Sequence, residues 1–194
     1  MITVLIFFAL LSAIGCFLYV IAIGYGIFFG APYVGTSKET AREMLRMAHV
    51  NQNDVLLDPG CGTGNILMTA MREFRVKKVI GYDVNPILII YARIRFLLAR
   101  HSCPDTQVEF YTRSAIDNDI RTDATVIAMY MLPIFMKRFE KVWRQNESVS
   151  RIVSHGFTFE GQKAQKETRI HNATLRLYTR NGVMAHDYER GNST

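Results

Sequence analysis

No Asp, Glu, Lys or Arg occurs in this 194-residue chain before Lys38, and that absence divides the sequence between two solvents. From Ile2 to about Phe29 the residues are apolar, with Thr3 and Ser12 as weakly polar interruptions. A helix of that length would rise roughly 40 Å, more than the roughly 30 Å hydrocarbon core of a bilayer, so a tilted single span is expected. The run lacks a basic n-region and is longer than the apolar stretch of a signal peptide. The Ala13–Cys16 stretch faintly resembles a lipoprotein cleavage site but has no basic residue before it, so an uncleaved anchor is expected. No Arg-rich transit segment precedes the run, which favours a cell membrane over an organelle membrane. Lys38, Arg42 and Arg46 follow the span, which predicts that the rest of the chain lies on the cytoplasmic side.

Cysteine is scarce too. Cys16, Cys61 and Cys103 show no spacing for a disulfide framework or a zinc site, so a reducing compartment and no metal are expected. In that compartment the sequons at Asn146, Asn172 and Asn192 carry no meaning. Internal repeats and low-complexity tracts are absent, and the length leaves room for one ordinary domain. Residues 1–29 read as the anchor, 30–49 as a linker with an N-terminal helix, 50–185 as one α/β domain and 186–194 as a frayed tail. The net charge of +6 is spread from Lys38 to Arg190 without interleaved aromatics. That suits an anionic lipid surface, and no nucleic-acid partner is expected.

What is present is an alternation. Ser37 can cap a helix from Lys38 to about His49, with Ala41, Met44, Leu45 and Ala48 at helical spacing. From Asp54 onward strand-like segments (Val55–Leu57, Lys78–Tyr82, Val108–Tyr111, Ala124–Tyr130, Arg151–Phe157) alternate with helix-like ones (Asn65–Phe74, Pro86 to about Arg100, Pro133–Trp143). This is the pattern of a mostly parallel sheet with helices on both faces. Arg169–Thr179 alternates polar and apolar residues as a half-exposed antiparallel strand would. The helix opening at Pro86 is very apolar; burial against the sheet, with its arginines solvated outside, is favoured over contact with a bilayer.

The strongest local signal is Asp58-Pro59-Gly60-Cys61-Gly62-Thr63-Gly64, directly after one strand and opening one helix. Glycines at alternate positions let a backbone pass closely beneath a nucleoside. Nineteen residues after Gly64, at the end of the next strand, Asp83 is placed to accept hydrogen bonds from ribose hydroxyls. A nicotinamide fingerprint would need glycine where Asn65 stands, and a carboxylate ahead of the loop suits an ammonium or sulfonium better than a pyrophosphate. Together these features point to S-adenosylmethionine (SAM) as the cofactor.

Through Asp58–Gly64 and Gly81-Tyr82-Asp83-Val84-Asn85-Pro86 the chain resembles the class I SAM-dependent methyltransferases. More narrowly it is similar to the family of the mitochondrial ATP synthase c-subunit lysine methyltransferase and the archaeal protein lysine methyltransferases. Pro32-Tyr33-Val34-Gly35-Thr36, Met131-Leu132-Pro133 and Val153-Ser154-His155-Gly156-Phe157 carry that similarity. The resemblance implies an α/β, Rossmann-like class I methyltransferase fold, mostly parallel with an antiparallel strand, behind one transmembrane helix. It implies cofactor contacts from Asp58, Gly60, Cys61, Gly62, Gly64, Asp83, Ser114 and Ala115. The segment Thr112-Arg113-Ser114-Ala115 lacks the usual acid for the adenine amino group, leaving Ser114 and Asp117 as alternatives. Gly161-Gln162-Lys163-Ala164 replaces a Gly-Trp-x-Pro-like run at the substrate rim. Tyr130-Met131-Leu132-Pro133 lacks the Asn/Asp-Pro-Pro-aromatic signature that goes with exocyclic or amide nitrogens.

The expected reaction is transfer of a methyl group to a lysine of a membrane-associated protein, with Tyr33 and Tyr130 as the catalytic residues that line and orient the amine. A dry pocket beside a sulfonium would favour the neutral amine, so no dedicated base is required. Ser154 and His155 are expected to be satisfied locally rather than to act directly. Two alternatives stand beside this reading: methylation of a lipid or small molecule, suggested by Met131, Leu132, Ile134 and Phe135, and a membrane protein that binds SAM without catalysis.

Overall fold

The structure, a computed structural model, describes residues 2–28, 34–116, 123–159, 162–170 and 173–180. Cα packing divides the chain into two compact units, Met1–Val34 and Gly35–Thr194. In the first, the uncharged run is one continuous helix, α1 (Ile2–Phe28), and its Ile2–Ile21 portion is long and apolar enough to cross a membrane.

The second unit starts with α2 (Lys38–Met47). The Ser37 Oγ accepts from Thr40 N at 3.1 Å, as the cap predicts, and Thr40, Ala41, Met44, Leu45 and Met47 are buried. Next come β1 (Val55–Asp58), α3 (Asn65–Thr69), β2 (Lys78–Asp83), α4 (Pro86–Ala99), β3 (Gln107–Thr112), β4 (Val126–Met129), α5 (Pro133–Gln145), β5 (Arg151–His155), β6 (Lys166–Ile170) and β7 (Ala173–Thr179). The sheet has seven strands in the order β3-β2-β1-β4-β5-β7-β6. β1 to β5 run parallel, and β7 pairs antiparallel with both β5 and β6. One core lies between the sheet and α2, α3 and α4; the other lies under α5, around Met136, Phe139 and Trp143. The expected architecture, helices on both faces of a mostly parallel sheet, is present.

Three elements differ from the sequence reading. The helix from Asn65 is α-helical only to Thr69 and continues as a π-helical turn, Ala70–Phe74, before Arg75 ends it at φ 53°. The alternating run Arg169–Thr179 belongs to two strands that pair antiparallel, β6 and β7, because polar and apolar alternation does not distinguish one long strand from two. His171 and Asn172 lie outside the described residues. On α4 and at its C-terminal end, Arg93 and Arg100 are exposed as expected, Arg93 donating to the Phe110 carbonyl at 2.7 Å, whereas Arg95 is half-buried and donates to the Thr63 carbonyl at 2.6 Å. What differs is that the apolar residues Ile90, Tyr91, Ile94, Leu97 and Leu98 are exposed as well.

The N-terminal ends of the strands are fastened by Asp54. Its carboxylate accepts from Arg151, from Thr125 Oγ1 at 2.7 Å and from Asn51 N at 2.9 Å, while Arg151 also donates to the Ala48 and His49 carbonyls at the end of α2. The C-terminal ends are left for other work.

Candidate active site

Strand order reverses between β1 and β4, and in open α/β sheets ligands bind beyond the carboxyl ends of the strands at such a switch point. Asp58 ends β1, Asp83 ends β2, Tyr130 follows β4 and His155 ends β5. The structure therefore brings most of the residues predicted from sequence to one edge of the sheet.

The loop between β1 and α3 is held from both sides. Cys61 N donates to the Tyr82 carbonyl at 2.8 Å, and Gly64 N donates to the Cys61 carbonyl at 2.7 Å. Gly62 (φ 52°) and Gly64 (φ 79°) are left-handed, a region that costs residues with a Cβ about 1–2 kcal/mol. At Gly64 a Cβ would also stand 2.9 Å from the Phe96 ring. At Gly60 it would meet the Met131 side chain at 3.6 Å, so the space over that residue is bounded by the segment after β4. The Cys61 side chain is buried beneath the loop, and burial, with Asp58 and Asp83 nearby, pushes its thiol well above the ordinary range. It is an inert packing group.

Asp83 does more than sequence reasoning assigned to it. One carboxylate oxygen accepts from Gly62 N at 2.9 Å and the other from Asn85 N at 2.8 Å, so it straps the glycine loop to the start of α4. Each oxygen keeps a further lone pair, and the residue is only partly buried. Burial raises its pKa, and the two amide bonds oppose the rise. Asp58 is 2% exposed and accepts from Gly60 N at 3.2 Å. Burial, together with the negative charge of Asp83, raises its pKa to about 7. Among the described residues no Lys or Arg pairs with it. A buried, unpaired carboxylate beside a glycine cradle fits a ligand with a cationic end and a nucleoside body, as SAM has, and does not fit a pyrophosphate.

Across the switch point, Tyr130 is half-buried and its ring lies on His155, with centroids 4.1 Å apart, and parallel to Phe157 at 6.0 Å. Burial lowers the pKa of His155, and its Nδ1 is buried with no hydrogen-bond partner among the described residues. Ser154, expected to be satisfied locally, donates to the Phe157 carbonyl at 2.7 Å. His155, also expected to be satisfied locally, is not; it forms part of an aromatic wall.

Ser114 and Ala115 follow β3, and the Ser114 Oγ accepts from Ile116 N at 3.2 Å. Asp117, its alternative, lies outside the described residues, as do Tyr33, Gly161 and the tail. Sequence reasoning missed the network under the loop: Arg95 Nη1 also donates to Asn65 Oδ1 at 2.9 Å, and Asn65 Nδ2 donates to the Thr36 carbonyl at 3.1 Å. The available signal was Asn65 itself, a polar residue where a nucleotide fold prefers glycine.

Residues 58–166 match the family described as the ANTKMT methyltransferase domain. A curated protein-lysine N-methyltransferase of Saccharolobus islandicus (strain REY15A) is 31% identical, over 76% of this chain and 92% of that protein. An RNA methyltransferase of Salinibacter ruber, solved in complex with S-adenosyl-L-homocysteine, superposes with a TM-score of 0.68 at 28% identity, covering 75% of this chain and 93% of that one. An rRNA methyltransferase of Streptomyces viridochromogenes shares the fold at a TM-score of 0.61 and 14% identity, over 79% and 88% of the two chains.

Proposed function

This chain belongs to the ANTKMT methyltransferase domain family, and we propose from that membership that it methylates a lysine side chain of a membrane-associated protein. It is a SAM-dependent methyltransferase of class I, Rossmann-like fold, so the reading of a fold that binds SAM without catalysis is set aside. The likeness to the archaeal protein-lysine N-methyltransferase along most of both chains carries the choice of acceptor.

The site supports it chemically. SAM, when bound, supplies an electrophilic methyl group on a sulfonium. Asp58 would hold the cofactor's ammonium, Asp83 its ribose hydroxyls, the glycine loop of Gly60, Cys61, Gly62 and Gly64 its body, and Ser114 and Ala115 its adenine. A lysine must arrive neutral, which costs about 4–5 kcal/mol at pH 7. The wall of Tyr130, His155 and Phe157 would give the amine an aromatic lining, and burial lowers the pKa of His155, which favours its uncharged imidazole. Tyr33 and Tyr130 would orient the nitrogen through their hydroxyls. In this reading residues 1–29 anchor the chain, 30–49 link, 50–185 catalyse on the cytoplasmic side and 186–194 trail. The uncharged helix and the following Lys38, Arg42 and Arg46 support that arrangement.

RNA deserves a separate arm in the test because of the Salinibacter ruber relative, and lipid because Ile134 beside the site is exposed. Membranes and total RNA are incubated with the full chain and SAM carrying a radiolabelled methyl group, then fractionated. Label recovered as methyl-lysine after protein hydrolysis is expected. Label confined to the lipid extract or to RNA would overturn the lysine assignment.

A further inference from the structure

Single exposed apolar side chains are ordinary on a protein surface; a contiguous face of them is not. α4 carries such a face. Ile90, Tyr91, Ile94, Leu97 and Leu98 are 55%, 53%, 52%, 70% and 78% exposed. At about 100° per residue they fall within an arc of roughly 120°. Ile89, Ala92, Phe96 and Ala99 occupy the buried arc. The helix is therefore apolar on both sides, and its two arginines sit at the borders, where Arg93 is exposed and Arg95 half-buried and each donates to a carbonyl, that of Phe110 and that of Thr63. For a helix flanked by solvent this pattern is inverted.

We propose that the outer face of α4 is a lipid-docking surface that lies on an anionic bilayer. The proposal deepens the anchoring part of the reading above and rests on it. Charge selects the occupant. Between Asp83 and Asp105 the sequence contains no acidic residue, but it contains Arg93, Arg95, Arg100 and His101. Arg100 and His101 are exposed just beyond the C-terminal end of the apolar face, and Arg75 reaches the same end to donate to the Ser102 carbonyl. Apolar side chains entering the acyl boundary with guanidinium groups at headgroup level is the arrangement of interfacial helices. A second copy of the chain would bring the same basic rim against itself, which disfavours it as the cover. The same chain also carries a helix of membrane-spanning length, so a bilayer is the surface most constantly within reach. α4 begins directly after β2, at the strand edge that carries Asp58 and Asp83. Docking would hold that edge near headgroup depth, where a lysine of an embedded protein emerges.

The test uses the full chain, one copy per nanodisc, in a mixture of phosphatidylcholine and phosphatidylglycerol with plain or brominated acyl chains. Trp143 is the only tryptophan and is buried, so an added tryptophan reads out over a constant background. Leu98→Trp and Ile94→Trp report on α4, Leu11→Trp on α1 and Lys141→Trp on exposed α5. The expected result is bromine quenching of the Leu98→Trp and Ile94→Trp signals by about twofold or more, with Lys141→Trp and the parent chain unchanged. Quenching at Leu11→Trp but at neither α4 position overturns the docking and leaves the anchor standing. Quenching at none of the three overturns both. A blue-shifted but unquenched Leu98→Trp means that protein covers the face, and this also overturns the proposal.

Discussion

The carboxylate of Asp58 makes cofactor affinity depend on pH in a direction that can be worked out from the structure. Its pKa stands at about 7 because burial penalises the charge and Asp83 adds a like charge, against one amide bond from Gly60. If a cationic ligand binds only the ionised form, the charged fraction is about one in eleven at pH 6 and about three in four at pH 7.5. Affinity for SAM should therefore rise about eightfold across that interval, and at pH 7 about half a proton should be released per ligand bound. The window stops at pH 7.5 because the ligand's own amino group, with a pKa of about 7.7–8.0, is already partly neutral there, which trims the observed rise to about fivefold. Calorimetric titration in buffers of different ionisation heat measures both quantities. Asp58→Asn should bind weakly at every pH and lose the slope, leaving any contribution of Asp83. The sign for folding is opposite. A carboxyl whose pKa is raised in the fold stabilises most below its unfolded value and loses that contribution as pH rises towards 7. The shift of about three units is worth about 4 kcal/mol. Without ligand, Asp58→Asn should thus be more stable than the parent at pH 7.5 in urea denaturation, by an amount that shrinks towards pH 4. A flat affinity profile in the parent, or the same slope in Asp58→Asn, would refute the reasoning.

The remaining predictions concern other parts of the site. Gly64→Ala combines φ 79° with a Cβ 2.9 Å from Phe96, so urea denaturation should show a loss of about 2 kcal/mol or more, and SAM affinity should fall with it. Unchanged stability would mean that the loop adapts. Arg95→Met keeps the stem of the side chain but removes the donors to the Thr63 carbonyl and Asn65 Oδ1. KM for SAM should rise about tenfold while kcat and circular dichroism change little, a cost of about one charged hydrogen bond. Equal losses in kcat and kcat/KM would move Arg95 to the acceptor side. Replacing Tyr33 and Tyr130 together with Phe should lower kcat about tenfold or more with SAM affinity retained, and unchanged turnover would dismiss their orienting role.

The cofactor half of the site was legible because glycine and carboxylate requirements are local. Asp58–Gly64 carries its own turn chemistry, and Asp83 ends the next strand at the spacing a parallel crossover imposes. What escaped reading depends on partners distant in sequence. That Asp83 binds the Gly62 amide follows only once β2 lies beside β1 in register Asp58 to Gly81. The stacking of His155 on Tyr130 needs β5 beside β4, which sets Met129 against Ser154. That α4 leaves an apolar face uncovered escaped reading for a related reason. A helix apolar all round has no moment from which to choose a face, so elements distant in sequence, among them the Thr63 carbonyl that holds Arg95, decided which side was covered.

Two buried aspartates frame β1 and show what distinguishes a site from a scaffold in this fold. Asp54, at the entering end, is 4% exposed and is met by the Arg151 guanidinium, the Thr125 hydroxyl and the Asn51 amide. Asp58, at the leaving end, is 2% exposed and accepts from one glycine amide at 3.2 Å. The two carboxylates flank or end the same strand and share a degree of burial, so solvent access does not account for the difference. A fold under pressure for stability alone would give the second acid a cation from its own chain, as it gives the first, or replace it with an apolar residue. Leaving it unpaired makes sense if the missing charge arrives with the ligand. Binding then recovers a cost already carried by the free protein, and the acid discriminates against any nucleoside whose tail is anionic.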